Sequence, residues 1–147
     1  MSMDFPKNEH RFPILLRGAW FGMNKAFRDR IKNLGITTAQ YTTLRCLADN
    51  QEVTQEDLTE LTSSNKNNVS SMVKRLISLG LASKKDHPQD KRKSIIHITS
   101  KGTEVYKMAS EKAESLRQDV LKNCTSVEES QLVEILQKCT DNLSRIK

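Results

Sequence analysis

Residues 54–80 read TQEDLTELTSSNKNNVSSMVKRLISLG. Thr54-Gln55-Glu56-Asp57 has the form of a helix start, a hydroxyl cap with a carboxylate three residues on, and it leads into a short helix carrying Leu58 and Leu61. Only Thr62-Ser63-Ser64 separates this helix from the next. Ser64 is the expected cap of that second helix, whose inward face is Val69, Met72, Val73, Leu76 and Leu79 and which Gly80 ends. Two short helices joined by so tight a turn, the second with a polar outer face, form a helix-turn-helix over about 54–79. The outer face is Asn65, Lys66, Asn67, Asn68, Ser70, Ser71 and Lys74, and no acidic residue occurs between Ser63 and Lys85. Amide and long side chains reach base edges, small hydroxyls let a backbone approach phosphates, and a helix N-terminus favours an anion. Ser64, Asn65, Lys66, Asn67, Asn68, Ser70, Ser71, Lys74 and Arg75 are therefore candidate DNA contacts.

Downstream the hydrophobic period changes. Leu81 to Asp86 and Ser94 to Ile98 read as two strands, the second with β-branched Ile95, Ile96 and Ile98. Between them His87-Pro88-Gln89-Asp90-Lys91-Arg92-Lys93 forms a long charged tip, so residues 81–98 make a hairpin wing. An arginine on a protruding loop reaches a narrow minor groove, where the negative potential is strongest. Asp90, two residues before Arg92, is placed to orient its guanidinium through a bidentate pair, while Lys91 and Lys93 are candidate contacts beside it. From Asn65 to Lys101 there are nine basic residues against Asp86 and Asp90, a net +7 in a chain whose total is +6. That concentration suits a polyanion, whose condensed counterions each contact releases; charge alone fits a solvated surface equally well. It lies on a helix and a hairpin rather than on one amphipathic helix, which disfavours a membrane surface.

Outside this lobe the pattern is helical. Phe12, Leu16, Ala19, Trp20, Met23, Phe27, Ile31 and Leu34 recur every three or four positions, with Pro13 expected in the first turn and Gly35 just past the end. Gly18 and Gly22 share one face, which suits a close helix–helix approach. Thr37 and Gln40 form a capping box for a helix with Tyr41, Leu44 and Leu47, and Thr99 caps a helix with Val105, Ala109, Leu116 and Val120. Ser126 with Glu129 is expected to cap the last helix. There Leu132, Leu136, Cys139, Leu143 and Ile146 step alternately by four and three, a heptad seam suited to another helix. The chain of 147 residues suits one domain, and Leu, Ile, Val and Phe supply 35 of them, above the roughly one-fifth below which disorder prevails. With 5% aromatics the core is lean and aliphatic, open to completion by a partner subunit.

The order of helix, helix-turn-helix, wing and two long helices resembles the multiple antibiotic resistance regulator (MarR) family of bacterial winged-helix repressors. Four stretches carry the resemblance: 35–41 (GITTAQY), 73–81 (VKRLISLGL), 86–92 (DHPQDKR) and 98–102 (ITSKG), within a match spanning about Phe12 to Ile146. It implies a mainly α winged helix-turn-helix domain over 11–146, with a DNA-binding lobe at 36–101. It also implies a homodimer built from helices 12–34, 103–122 and 127–146, with Arg92 as the minor-groove arginine and Asp90 its partner. Lys91 departs from the second arginine of many relatives, keeping charge but losing planar recognition.

Relatives bind phenolic or anionic aromatics in a crevice between the dimer helices and the DNA-binding lobe, and the resemblance offers Trp20, Met23, Phe27 and Tyr41 as its lining, with Arg17 or Arg45 for a carboxylate. Ordinary core is the competing role for each. The expected function is a homodimeric repressor on a pseudo-palindromic operator in double-stranded DNA, released by such a ligand. An oxidant-responsive regulator and a sequence-independent architectural DNA binder are the alternatives. Cys46, Cys124 and Cys139 are an odd count without metal or disulfide spacing, expected as small buried hydrophobes, with Cys124 the one open to solvent. His10, His87 and His97 form no metal pair, so neither metal nor cofactor is expected. No nucleophile with a base and no phosphate-cradling glycine loop point to an enzyme. The longest apolar runs are three residues, and Asp4 and Glu9 argue against a leader, so the expected setting is a soluble protein of the cytoplasm, associated with the nucleoid.

Overall fold

The structure, a computed structural model, describes residues 8–146, with side chains over 11–146. Asp4 and the side chains of Glu9 and His10 lie outside those residues. Helix α1 (Asn8–Ile31) starts four residues before Phe12, so Pro13 sits inside the helix rather than in its first turn. The cost is one helical hydrogen bond, because proline has no N–H to offer the carbonyl four residues back. A 3-10 turn at Lys32–Leu34 ends at Gly35, which takes the left-handed conformation with φ 75°.

Helix α2 (Thr38–Asp49) opens with the expected reciprocal cap. The Gln40 N–H donates to Thr37 Oγ1 at 3.1 Å and the Thr37 N–H to Gln40 Oε1 at 2.8 Å. A two-residue strand β1 (Val53–Thr54) follows and was not foreseen; two residues are too few to show a period. Helix α3 (Gln55–Leu61) is capped by Thr54 and Asp57 as expected. Helix α4 (Lys66–Ser78) is capped by Asn65 instead of Ser64, its Oδ1 accepting from the Asn68 N–H at 2.9 Å. Asparagine caps as well as serine, and Asn65 has the extended backbone the position needs. At the other end Gly80 has φ 75°, while its N–H bonds Ile77 O and that of Leu81 bonds Leu76 O, each at 2.9 Å. This double closure ends α4 at the glycine, as its sequence predicts.

Strands β2 (Ala82–Asp86) and β3 (Ser94–Ile98) pair antiparallel, from Ala82 opposite Ile98 to Asp86 opposite Ser94. β1 adds to the far side of β3, giving the order β1-β3-β2. Helix α5 (Ser100–Val120) is capped by Thr99. Helix α6 (Ser126–Ser144) is capped by Thr125 with Glu128, one residue before the expected Ser126 and Glu129. Both pairs have the right spacing, but the Glu129 carboxylate is taken by Arg117 of α5, which leaves Glu128 for the cap.

The core gathers Ile31, Leu44, Leu58, Leu76 and Ile96, all fully or almost fully buried, with Val73 and Ala109 beside them. It lies beneath α2–α5 and the sheet, and each fully buried Leu or Ile contributes about 1.5–3 kcal/mol. Gly102 closes it, because a Cβ there would stand 2.1 Å from the Leu81 carbonyl oxygen. Arg30 ties α1 to α5 through Asp119 at 2.6 Å. The remaining apolar surface is outside this core. Helix α6 has no buried residue, and Leu132, Leu136 and Leu143 of its seam are exposed, as are Phe12, Trp20 and Phe21 of α1. Among the described residues, nothing beyond the local backbone of α1 itself lies within 4 Å of where a Cβ on Gly18 or Gly22 would be. Among the described residues no helix is long and apolar enough to cross a membrane.

Candidate nucleic-acid interface

Helix α4 turns Val69, Val73 and Leu76 into the core, which decides where its polar residues go. At 100° per residue, Asn67, Ser71 and Lys74 form the crest opposite the buried stripe, and all three are exposed. Lys66 and Ser70 lie on one flank; Asn68 and Arg75 lie on the other. Asn65 is exposed, and its side-chain oxygen is engaged at the cap, where it holds the first turn of the helix. Ser64 sits just before that cap in the turn. The expected α4 set thus lies on one contiguous surface, with the Asn65 side chain bonded to the backbone of the first turn.

The flank of Asn68, Ser71, Met72 and Arg75 faces α2 across an open cavity of about 570 Å³. Leu58, Val69 and Met72 give it apolar walls, and Gln40, Thr43 and Arg75 give it polar ones. Sequence reading missed this space, because periodicity assigns residues to faces but does not measure the gap between two helices.

At the wing tip the Asp90 Oδ1 accepts from the Arg92 backbone N–H at 3.0 Å and from its Nε at 3.2 Å. One carboxylate oxygen takes both bonds, so the pairing is not the bidentate one expected. Both terminal amino groups of the guanidinium remain available, on a side chain 92% exposed. The Arg92 backbone bond, followed by the guanidinium, holds the Asp90 carboxyl below its ordinary range, so the orienting group stays ionised. Lys91 is exposed. Lys93 turns towards α3, where its Nζ lies 3.8 Å from Glu56 Oε2. The Thr54 N–H bond, foremost among its causes, likewise lowers the Asp57 carboxyl in the first turn of α3.

Two further contacts, also unforeseen, position α4. The Thr99 hydroxyl donates to Gly80 O at 2.6 Å and Lys101 Nζ to Leu79 O at 3.0 Å. Cations and hydroxyls at a helix C-terminus satisfy its last carbonyls, so the start of α5 clamps the end of α4. Both residues lie in the 98–102 stretch, but only the tertiary fold brings them there.

The six residues expected around a ligand crevice divide. Phe27 and Tyr41 meet edge to face at 4.9 Å, and Tyr41 stacks on Tyr106 at 5.8 Å. Trp20 and Met23 are exposed on α1, and Arg17 lies over the Phe21 ring at 5.3 Å. Arg45 is exposed and 3.7 Å from Asp49. The single chain does not gather the six around one space. The cysteines also differ from expectation, with Cys46 and Cys139 half-buried and Cys124 exposed, the last as anticipated. Burial, with Asp49 adding to it, raises the Cys46 thiol and makes it a poorer nucleophile at neutral pH.

A model of the MarR family matches residues 34–93. The uncharacterized HTH-type transcriptional regulator YdgJ of Bacillus subtilis (strain 168) is 24% identical over 127 residues, covering 86% of this chain and 77% of that one. A single-residue mutant of MarR from E. coli, solved with operator DNA, superposes with a TM-score of 0.81 at 22% identity, covering 93% of this chain and 99% of the other. BpsR of Bordetella bronchiseptica, whose DNA binding is regulated by 6-hydroxynicotinic acid, superposes with a TM-score of 0.78 at 24% identity, covering 88% and 98%. Residues 34–93 hold α2, the whole helix-turn-helix and the wing tip just described, so the likeness to the MarR family falls on the lobe that carries these features.

Proposed function

We propose that this chain is a transcription regulator that binds a pseudo-palindromic operator as a homodimer, with α4 in the major groove and Arg92 of the wing in a minor groove. The observation that carries the reading is the exposed, acid-free crest of α4 combined with an arginine already oriented by Asp90 and left open at its terminal amino groups. The division into a DNA-binding lobe at 36–101 and dimer helices at 12–34 and 103–146 rests on the apolar surfaces of α1 and α6, which the single chain leaves uncovered. Paired two-fold, such lobes meet half-sites about one helical turn, or 10 base pairs, apart or a multiple of it.

The regulator acts as a repressor released by a small aromatic anion, as BpsR responds to 6-hydroxynicotinic acid. The cavity beside α4 supports this, since its apolar walls and Arg75 suit such a molecule and it shares Asn68, Ser71 and Arg75 with the proposed interface. A crevice at Arg17, Trp20, Met23, Phe27, Tyr41 and Arg45 requires a second protomer to close it. The test is a fluorescence-anisotropy titration on a duplex selected from random sequence by the protein itself. Selected DNA should bind at least about 10³-fold more tightly than random DNA, and millimolar 6-hydroxynicotinate should weaken that binding. Equal affinity for both duplexes would instead identify a sequence-independent architectural binder.

A further inference from the structure

We infer that Lys93 is a positioning residue, a brace that holds the wing against α3 through Glu56, and not one of the residues that meet a phosphate. The inference rests on the DNA-binding reading above and assigns a separate task within it. The backbone first brings the two elements together. Val53 pairs with Ile96 and Thr54 with Ile95 of β3, and Thr54 is also the cap of α3. The first turn of α3, with Glu56 and Asp57, therefore starts beside the strand that leaves the wing tip. Lys93 lies just before that strand, held on both sides, its carbonyl accepting from the His87 N–H at 3.1 Å and its N–H donating to Asp90 O at 3.0 Å.

From this fixed point the ammonium approaches Glu56, and its charge also acts on Asp57 and Asp90. A phosphate arriving there would have to displace Glu56 and meet the field of the other two carboxylates. Arg92, the preceding residue, has a single carboxylate and is 92% exposed, against 53% for the Lys93 side chain. Adjacent basic residues of the same loop thus face different partners: Arg92 is open to the groove and Lys93 is bound back to the helix-turn-helix. With β1 the ion pair forms a second tie between wing and α3, and it sets the angle at which Arg92 is presented relative to α4.

The test compares wild type with Lys93→Gln, Lys93→Arg, Glu56→Gln and the exchanged pair Lys93→Glu with Glu56→Lys. Each is titrated on selected and random duplexes over a range of salt, and wing amide hydrogen exchange is measured in the free protein. A brace of this exposed kind is worth about a two- to fivefold effect. Lys93→Gln should lower affinity for the selected duplex by that factor and leave random-duplex affinity and the salt slope within about 0.3 of wild type. Lys93→Arg and the exchanged pair should restore the selected-to-random ratio, and Lys93→Gln and Glu56→Gln should each speed exchange at the His87 and Lys93 amides. A uniform loss on both duplexes with the slope reduced by about 0.9 would make Lys93 a phosphate contact and overturn the inference. So would wild-type behaviour of Lys93→Gln in both titration and exchange. Failure of every protein to bind any duplex would overturn the DNA-binding reading instead, and the exchange rates would still decide whether the brace exists.

Discussion

Replacing Arg92 by alanine removes a side chain that is almost wholly exposed, so the folded state loses nothing in packing and the melting temperature should stay that of wild type. What is lost is at the DNA. The Nε is already occupied by Asp90, which leaves the N–H groups of two terminal amines and a full charge for the groove. An arginine in that role contributes about 1–3 kcal/mol, which corresponds to a roughly 5- to 140-fold loss on the selected duplex. Asp90→Ala keeps the arginine and its charge and deletes the oxygen that holds its backbone N–H and Nε, so its loss should be smaller, about two- to fivefold. The two effects are not independent, because Asp90 acts on binding through Arg92. In the Arg92→Ala background the second substitution should therefore cost almost nothing, a non-additivity that a double-mutant cycle reads directly. The assay is anisotropy titration of wild type, both single variants and the double variant at fixed salt. Arg92→Ala matching wild type on the selected duplex would refute the minor-groove role, and additive effects would refute orientation by Asp90.

Gly102→Ala forces a methyl within 2.1 Å of the Leu81 carbonyl oxygen and 2.8 Å of Ile98 Cγ1, so α5 must move off Leu81 and the end of β3; a loss of about 3 kcal/mol should appear as a lower urea midpoint, and an unchanged midpoint would refute it. Leu136→Glu places a charge on the α6 seam, which has no buried residue in the single chain, and should shift sedimentation at micromolar concentration from dimer to monomer; a retained dimer mass would exclude that seam from the interface. The Thr125 N–H bond lowers the Glu128 carboxyl beneath its ordinary value of 4.5. Its stabilisation is complete above that value and is lost as pH falls through the lower folded-state value, so Glu128→Gln should flatten the acid limb of the melting temperature below about pH 4.5. Superimposable acid limbs would show that the cap does not titrate with folding.

The order of the helices, the helix-turn-helix and the wing are legible in the amino-acid sequence because each depends on interactions over a few residues. Thr37 with Gln40, Thr54 with Asp57, the glycine after α4 and the β-branched run of β3 are local, and local patterns survive in any tertiary context. Even the two caps that differ from expectation do so by one residue, where neighbouring residues had equal claims. At Thr125 the choice was made by Arg117, twelve residues before Glu129 and on another helix. Chain contacts of long range decided the rest. The pairing of Val53 and Thr54 with β3, the clamp of Thr99 and Lys101 on the end of α4, the gap between α2 and α4 and the turn of Lys93 towards Glu56 all depend on how elements pack. Periodicity states which face of an element is apolar; it does not state which element covers that face or at what distance. The sequence alone thus determined which residues lie on the polar face of α4 and at the wing tip, while the tertiary structure decided which of them are already partnered, because a side chain's partners are set by neighbours distant along the chain.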